Sequence, residues 1–102
     1  MSDINDLRNQ MDEVTLELIK LLKTRTDIAK EIGKVKKTIG KRVTDEERED
    51  NLRGKIIKVS KEIGLDETLA SKFLNFLLNE SIKVQINKQA NTSFNFLKSK
   101  IT

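Results

Sequence analysis

Apolar side chains along the first forty residues fall at Ile4, Leu7, Met11, Val14, Leu18, Leu21, Ile28, Ile32, Val35 and Ile39. Steps that alternate three and four are the seam of one long helix packed on others. The member of that series expected after Leu21 lies at position 25, where the residue is Arg25. A guanidinium on a packing seam has to find an anion. Asp3 and Asp6 suit the positive end of this helix, which begins after Ser2 or Asp3, and Gly40 suits its left-handed C-cap. Gly33, a weak helix former, reads as a point of close approach to a neighbouring helix.

The same periodicity gives two further helices. Thr44-Asp45-Glu46-Glu47 reads as a capping box with Thr44 as N-cap, followed by the stripe Leu52, Ile56, Val59 and Ile63 and a stop at Gly64. Asp66 is the expected N-cap of the third helix, whose stripe runs Ala70, Phe73, Leu74 and Leu77 and then meets Ser81, Val84 and Gln85. Ala90, Phe94, Leu97 and Ile101 resume the spacing, with Asn91-Thr92-Ser93 as a candidate break, and residues 89–102 read as a helical tail that serves as packing material. With no proline, no repeat and no low-complexity stretch, the expectation is an all-α fold, one domain over residues 1–102 with a very long first helix.

From Ile4 to Ile39 that helix measures roughly 50 Å at 1.5 Å per residue. A compact chain of this size has a radius of gyration near ~13 Å. The helix overhangs its own domain, so the pattern predicts an oligomer, most simply a two-fold homodimer whose subunits share a core.

Extending each apolar stripe lands on polar residues: Arg25 and Lys36 in the first helix, Asp45 and Glu49 in the second, Ser81 and Gln85 in the third. Singly, each has an ordinary explanation. Lys36 could snorkel, Ser81 could pack, Asp45 could belong to a helix N-terminus, and Arg25 could pair with Glu49. Jointly they describe a polar pocket inside a helical bundle, shaped for a small polyanion that carries a hydroxyl. Arg25 and Lys36 lie about three turns apart, ~17 Å with only ~20° of drift, and can clamp one small molecule from its two ends. Arg8 lies ~26 Å from Arg25 and is turned by roughly 100° on a straight helix. It cannot reach the same ligand within one chain.

Composition narrows the chemistry. The chain has no His and no Cys, which removes imidazole and thiol nucleophiles and the usual zinc ligand sets. The absence of cysteine fits a cytoplasmic protein, and neither a signal peptide nor a membrane span is expected. The net charge of +4 favours anionic partners. Nucleic acid binding through Lys34, Lys36, Lys37, Lys41 and Arg42 is the reading from another class. It is disfavoured because a basic run near a helix end is usually a solvated face and no aromatic residues accompany it for stacking. A purely structural coiled coil leaves Arg25 and Gln85 unexplained.

Leu7-Arg8-x-x-Met11-Asp12, Leu21-Leu22-x-x-Arg25, Ile32-Gly33-x-x-Lys36, Val43-x-Asp45-x-x-Arg48-Glu49 and Ser81-x-x-x-Gln85 together resemble the all-α class of chorismate mutases, in order and spacing, over residues 4 to about 88. Each piece alone is weak; eight polar positions in register are specific. The departures are Thr15 where a second Asp is common and Arg42 where a loop proline is common, neither of them a pocket position.

The resemblance implies an intertwined three-helix homodimer that binds chorismate and uses no metal or cofactor, each pocket being completed by Arg8 of the other chain. It implies that Arg25 and that Arg8 bind the two carboxylates, with Arg48 and Ser81 assisting. Glu49 and the backbone at Asp45 would hold the ring hydroxyl, and Lys36 and Gln85 would donate to the ether oxygen. Lys36, Gln85, Arg25 and Glu49 are then the catalytic set. An isochorismate pyruvate-lyase of the same fold is the alternative within the family, and Glu49, placed for a hydroxyl, favours chorismate.

Overall fold

The computed structural model describes residues 3–101, with side chains described through position 86. It contains α1 (Ile4–Ile39), α2 (Glu46–Ile63) and α3 (Glu67–Ile101), and no strand among the described residues. The fold is all-α, as the periodicity requires. Asp3 caps α1, its carboxylate accepting from the Asp6 backbone N–H at 2.8 Å. Gly40 ends the helix with φ 70°, the left-handed conformation in which a side chain would be strained, and Gly64 ends α2 with φ 73°. Asp66 opens α3 by accepting from the backbone N–H of Thr68 at 2.7 Å.

Two expectations are corrected. The N-cap of α2 is Asp45 rather than Thr44: the Asp45 carboxylate accepts from the Arg48 backbone N–H at 3.1 Å, and Lys41 lies 3.7 Å from its other oxygen. A charged acceptor held by a neighbouring cation outcompetes a hydroxyl one residue earlier. The second correction concerns α3, which runs unbroken through Asn91-Thr92-Ser93 to Ile101. The packing role expected for the side chains of residues 89–102 lies outside the described residues.

α3 packs on both α1 and α2, which do not pack on each other. The face that α1 turns to α3 is a further correction to the sequence reading. It consists of Leu22, Arg25, Thr26, Ala29, Gly33 and Lys36, of which Ala29 and Gly33 are buried. The apolar seam beside it, from Ile4 to Ile39, stays at least 41% exposed at every position. Small residues let the two helix backbones approach closely, so the polar pocket is built on the α1–α3 contact and the larger apolar side chains are left facing outward. On α3, Ala70 and Leu74 are buried. Buried Ser60 of α2 satisfies its hydroxyl on the Ile56 carbonyl of its own helix at 2.7 Å, and Arg53 ties α2 to Asn75 of α3 at 2.7 Å.

The molecule is elongated, 66 × 32 × 17 Å, with a radius of gyration of 18.5 Å. Every residue of α1 from Ile4 to Leu21 is exposed. No helix among the described residues is long and apolar enough to cross a membrane.

Candidate active site

A cavity of about 330 Å³ lies where the second half of α1, the start of α2 and the middle of α3 converge, at the small end of the range for small-molecule sites. Seven of the eight polar residues singled out in the sequence line it: Arg25, Lys36, Asp45, Arg48, Glu49, Ser81 and Gln85. Arg8 does not. It sits on the exposed first turns of α1, outside this chain's cavity.

Arg25 and Ser81 meet across the α1–α3 contact. The guanidinium donates to the Ser81 hydroxyl and, at 3.0 Å, to the Leu77 carbonyl. Ser81 in turn donates to the same carbonyl at 2.9 Å, so hydroxyl and guanidinium are fixed together. The salt bridge to Glu49 that could have explained Arg25 does not form. Burial, and after it the charge of Arg48, lower the Arg25 pKa from its ordinary value. An anion between the two guanidiniums relieves both effects.

The second cluster is built on Lys36. Its ammonium donates to the Val43 carbonyl at 2.5 Å and to Gln85 Oε1 at 3.0 Å. An ammonium has three donors and no acceptor. Two are therefore engaged by the protein and one remains for a ligand. Because lysine can only donate, it also sets which way the Gln85 amide faces: the oxygen turns to Lys36, and the NH₂ group is left as a donor. Gln85 is 6% exposed, so that donor is held in a site largely shielded from water. Burial chiefly lowers the Lys36 pKa, with Lys41 and Arg48 adding to the effect and Asp45 and Glu49 opposing it.

Asp45 serves two purposes, as helix cap and as cavity wall. The hydrogen bond from the Arg48 backbone N–H holds its carboxyl below the usual carboxylate range, and Lys41 and Lys36 reinforce this against burial. Four cations (Arg25, Lys36, Lys41 and Arg48) and two carboxylates (Asp45 and Glu49) line the cavity, a surplus of two positive charges. The apolar part of the wall is Ile28, Ala29, Ile32, Val43, Leu52, Leu78 and Ile82.

Sequence reasoning missed Lys41, which read as part of a solvated basic run, and the Val43 carbonyl. The four-residue spacing from Lys41 to Asp45 was a usable signal for the first. No pattern of side chains announces a backbone acceptor.

The arrangement offers cations, carboxylate acceptors and two neighbouring donors, with no histidine or cysteine among them. Comparisons with known proteins agree with it. Residues 7–86 match the family model for chorismate mutase type II. The chain is 29% identical over 80 residues to a protein named chorismate mutase from Methanocaldococcus jannaschii, covering 78% of this chain and 81% of that one. It is 32% identical over 63 residues to a bifunctional chorismate mutase/prephenate dehydratase from Aquifex aeolicus, covering 62% of this chain and 17% of that one. With four-fifths of its length matched and its polar residues gathered around one cavity, the chain belongs to the chorismate mutase type II family.

Proposed function

We propose that this chorismate mutase binds chorismate in the α1–α2–α3 cavity and rearranges it to prephenate in a homodimer, each cavity being completed by Arg8 of the partner subunit. The observation that carries the mechanism is the Lys36–Gln85 hydrogen bond, which, with the bond from Lys36 to the Val43 carbonyl, leaves one ammonium N–H of Lys36 and the NH₂ group of Gln85 for a single acceptor atom. In this rearrangement the ether C–O bond breaks as a C–C bond forms within the same molecule. No proton, electron or group is exchanged with the protein. Negative charge grows on the ether oxygen, and Lys36 and Gln85 meet it in place, in surroundings where a fixed donor is worth more than in water.

The rest of the cavity holds the folded, reactive conformer. Arg25, steadied by Ser81, takes one carboxylate, and Arg48 adds charge beside it. Glu49 accepts from the ring hydroxyl next to the Asp45 backbone. The surplus of two positive charges suits a dianion.

The dimer rests on the exposed half of α1. Ile4, Leu7, Met11, Val14, Leu18 and Leu21 are each at least half exposed in the single chain. At about 1.5–3 kcal/mol for each side chain fully buried, covering them is worth on the order of 10 kcal/mol, as much as the whole stability of many domains. A second copy that covers this half-helix with its own also brings its Arg8 to the cavity that Arg8 cannot reach within one chain.

The test is loss of chorismate absorbance on adding purified protein, with the product identified as prephenate and isochorismate assayed in parallel. Pyruvate release from isochorismate without turnover of chorismate would overturn the reading. A monomer by sedimentation at the concentrations where activity is measured would overturn the shared site.

A further inference from the structure

Two glycines lie inside helices, and their surroundings differ sharply. A methyl group added at Gly54 would meet nothing within 4 Å. One added at Gly33 would lie 3.1 Å from the Cα of Gln85 and 3.3 Å from its Cβ and Cγ, closer than the ~3.5–4.0 Å at which carbon atoms pack comfortably. Glycine in a helix interior is about 0.8–1 kcal/mol worse than alanine. Gly33 therefore weakens α1 locally, and the nearest atoms in the approach it permits all belong to Gln85. The same helix grips that residue a second time three positions on, where Lys36 takes its Oε1.

From this we infer that Gly33 is a positioning residue for the reaction: it lets the backbone and stem of Gln85 lie against α1 at the depth from which the amide bonds Lys36 and presents its NH₂ to the reacting oxygen. The proposal rests on the reading of Gln85 as a donor to that oxygen. Lys36 fixes which way the amide faces, and Gly33 fixes how deep it sits. A methyl at position 33 pushes α3 away by a few tenths of an ångström at the one point where the Lys36–Gln85 bond is made. The contact is with backbone as well as side chain, so a change of rotamer cannot relieve it.

The experiment compares Gly33→Ala, Gln85→Ala, the double variant and Gly54→Ala, measuring kcat, KM and the melting midpoint by far-ultraviolet circular dichroism. A misplacement of 1 Å costs up to ~100-fold, so a shift of a few tenths should lower kcat about fourfold in Gly33→Ala, with KM changed less than about twofold. In the Gln85→Ala background the same substitution should cost less than about twofold, because the group it acts through is gone. Gly54→Ala should leave kcat and KM unchanged. The contacts at position 33 are tight without being impossible and alanine favours the helix, so the melting midpoint should stay within about 5 °C of wild type. As a measurement independent of turnover, the Gln85 side-chain amide resonance should shift in Gly33→Ala and not in Gly54→Ala.

An equal loss of kcat in both backgrounds, or a kcat that falls only in step with the melting midpoint, would make Gly33 a packing residue and overturn the inference. So would an unchanged kcat in Gly33→Ala. Should Gln85→Ala itself leave kcat untouched, the reading beneath the inference fails, and that failure is distinguishable from the others because it appears without any change at position 33.

Discussion

Replacing Gln85 by glutamate should convert a pH-tolerant enzyme into one that works in acid. The substitution preserves size and shape, so its effect is one of protons. In the wild type Oε1 accepts from Lys36 at 3.0 Å and the NH₂ group remains a donor at any pH. In Gln85→Glu one oxygen keeps Lys36 and the other takes the place of NH₂, where it can donate only while protonated. Once ionised it removes a preorganised donor, a loss of about 10²–10³ in kcat. It also sets a negative charge near the breaking ether bond: at about 4 Å and an effective dielectric of 20, two full charges repel by about 4 kcal/mol. Even half that figure adds more than tenfold, so kcat well above the carboxyl's pKa should lie about 10³-fold or more below wild type. Burial at 6% exposure raises that pKa and Lys36 opposes the rise. Above it, log kcat should fall by one unit per pH unit until it reaches a floor. The background is favourable, since the chain has no histidine or cysteine to titrate near neutrality. The assay is kcat at saturating chorismate from acid to pH 9 at constant ionic strength. A mutant profile parallel to wild type would refute the placement of Gln85 at the ether oxygen.

Other expectations test the remaining parts of the site. Lys36→Ala should lower kcat by about 10²–10³ while KM changes only a few-fold, because the charge it meets exists mainly in the transition state; Lys37→Ala, on an exposed face, should do little, and equal effects on kcat and KM would make Lys36 a carboxylate anchor. Mixing equal amounts of Arg8→Ala and Arg25→Ala subunits should restore about a quarter of wild-type activity, since random pairing makes half the dimers hybrid and each hybrid has one complete cavity out of two; no recovery despite verified hybrids would refute shared sites. Because the Lys36 pKa is lowered, its ammonium is intact below that value and lost as pH rises through it, so kcat/KM should begin to fall below the ordinary lysine range near ~10.4. A profile flat to that point would mean Lys36 carries no proton the reaction needs.

How far the fold was legible depends on whether a single residue decided each feature. Asp3, Gly40, Gly64 and Asp66 mark helix ends because each acts within its own turn; the last three could be read directly, and Asp3 was one of two candidates with Ser2. Thr44 and Asp45 are adjacent and both can cap. The choice between them turns on Lys41, whose influence is spatial. The face of α1 that meets α3 was hidden for another reason: its strongest apolar stripe stays at least 41% exposed, with Ile28 and Ile32 reaching only the cavity wall, and the contact that does form uses Ala29 and Gly33, which barely register in a hydrophobic pattern. Six of the cavity-lining residues were legible because polar residues interrupt apolar stripes, a mismatch between period and chemistry, whereas Arg48 was reached only through the family resemblance. Lys41 and Val43 escaped because they lie in the link between α1 and α2, where no periodicity exists to violate. Arg8 marks the boundary of what one chain can show.

That link has a consequence for how this sequence can change. Connections between helices ordinarily absorb insertions and deletions at little cost, and the turn at Gly64–Asp66, away from the cavity, is of that kind. Residues 40–45 are not. Within six positions the chain must end α1, lay the Val43 carbonyl on the Lys36 ammonium, bring Lys41 to the cavity wall and present Asp45 to cap α2. One residue more or fewer would break the spacing between Lys36 and the helix cap, so this short link should tolerate substitution far better than a change of length.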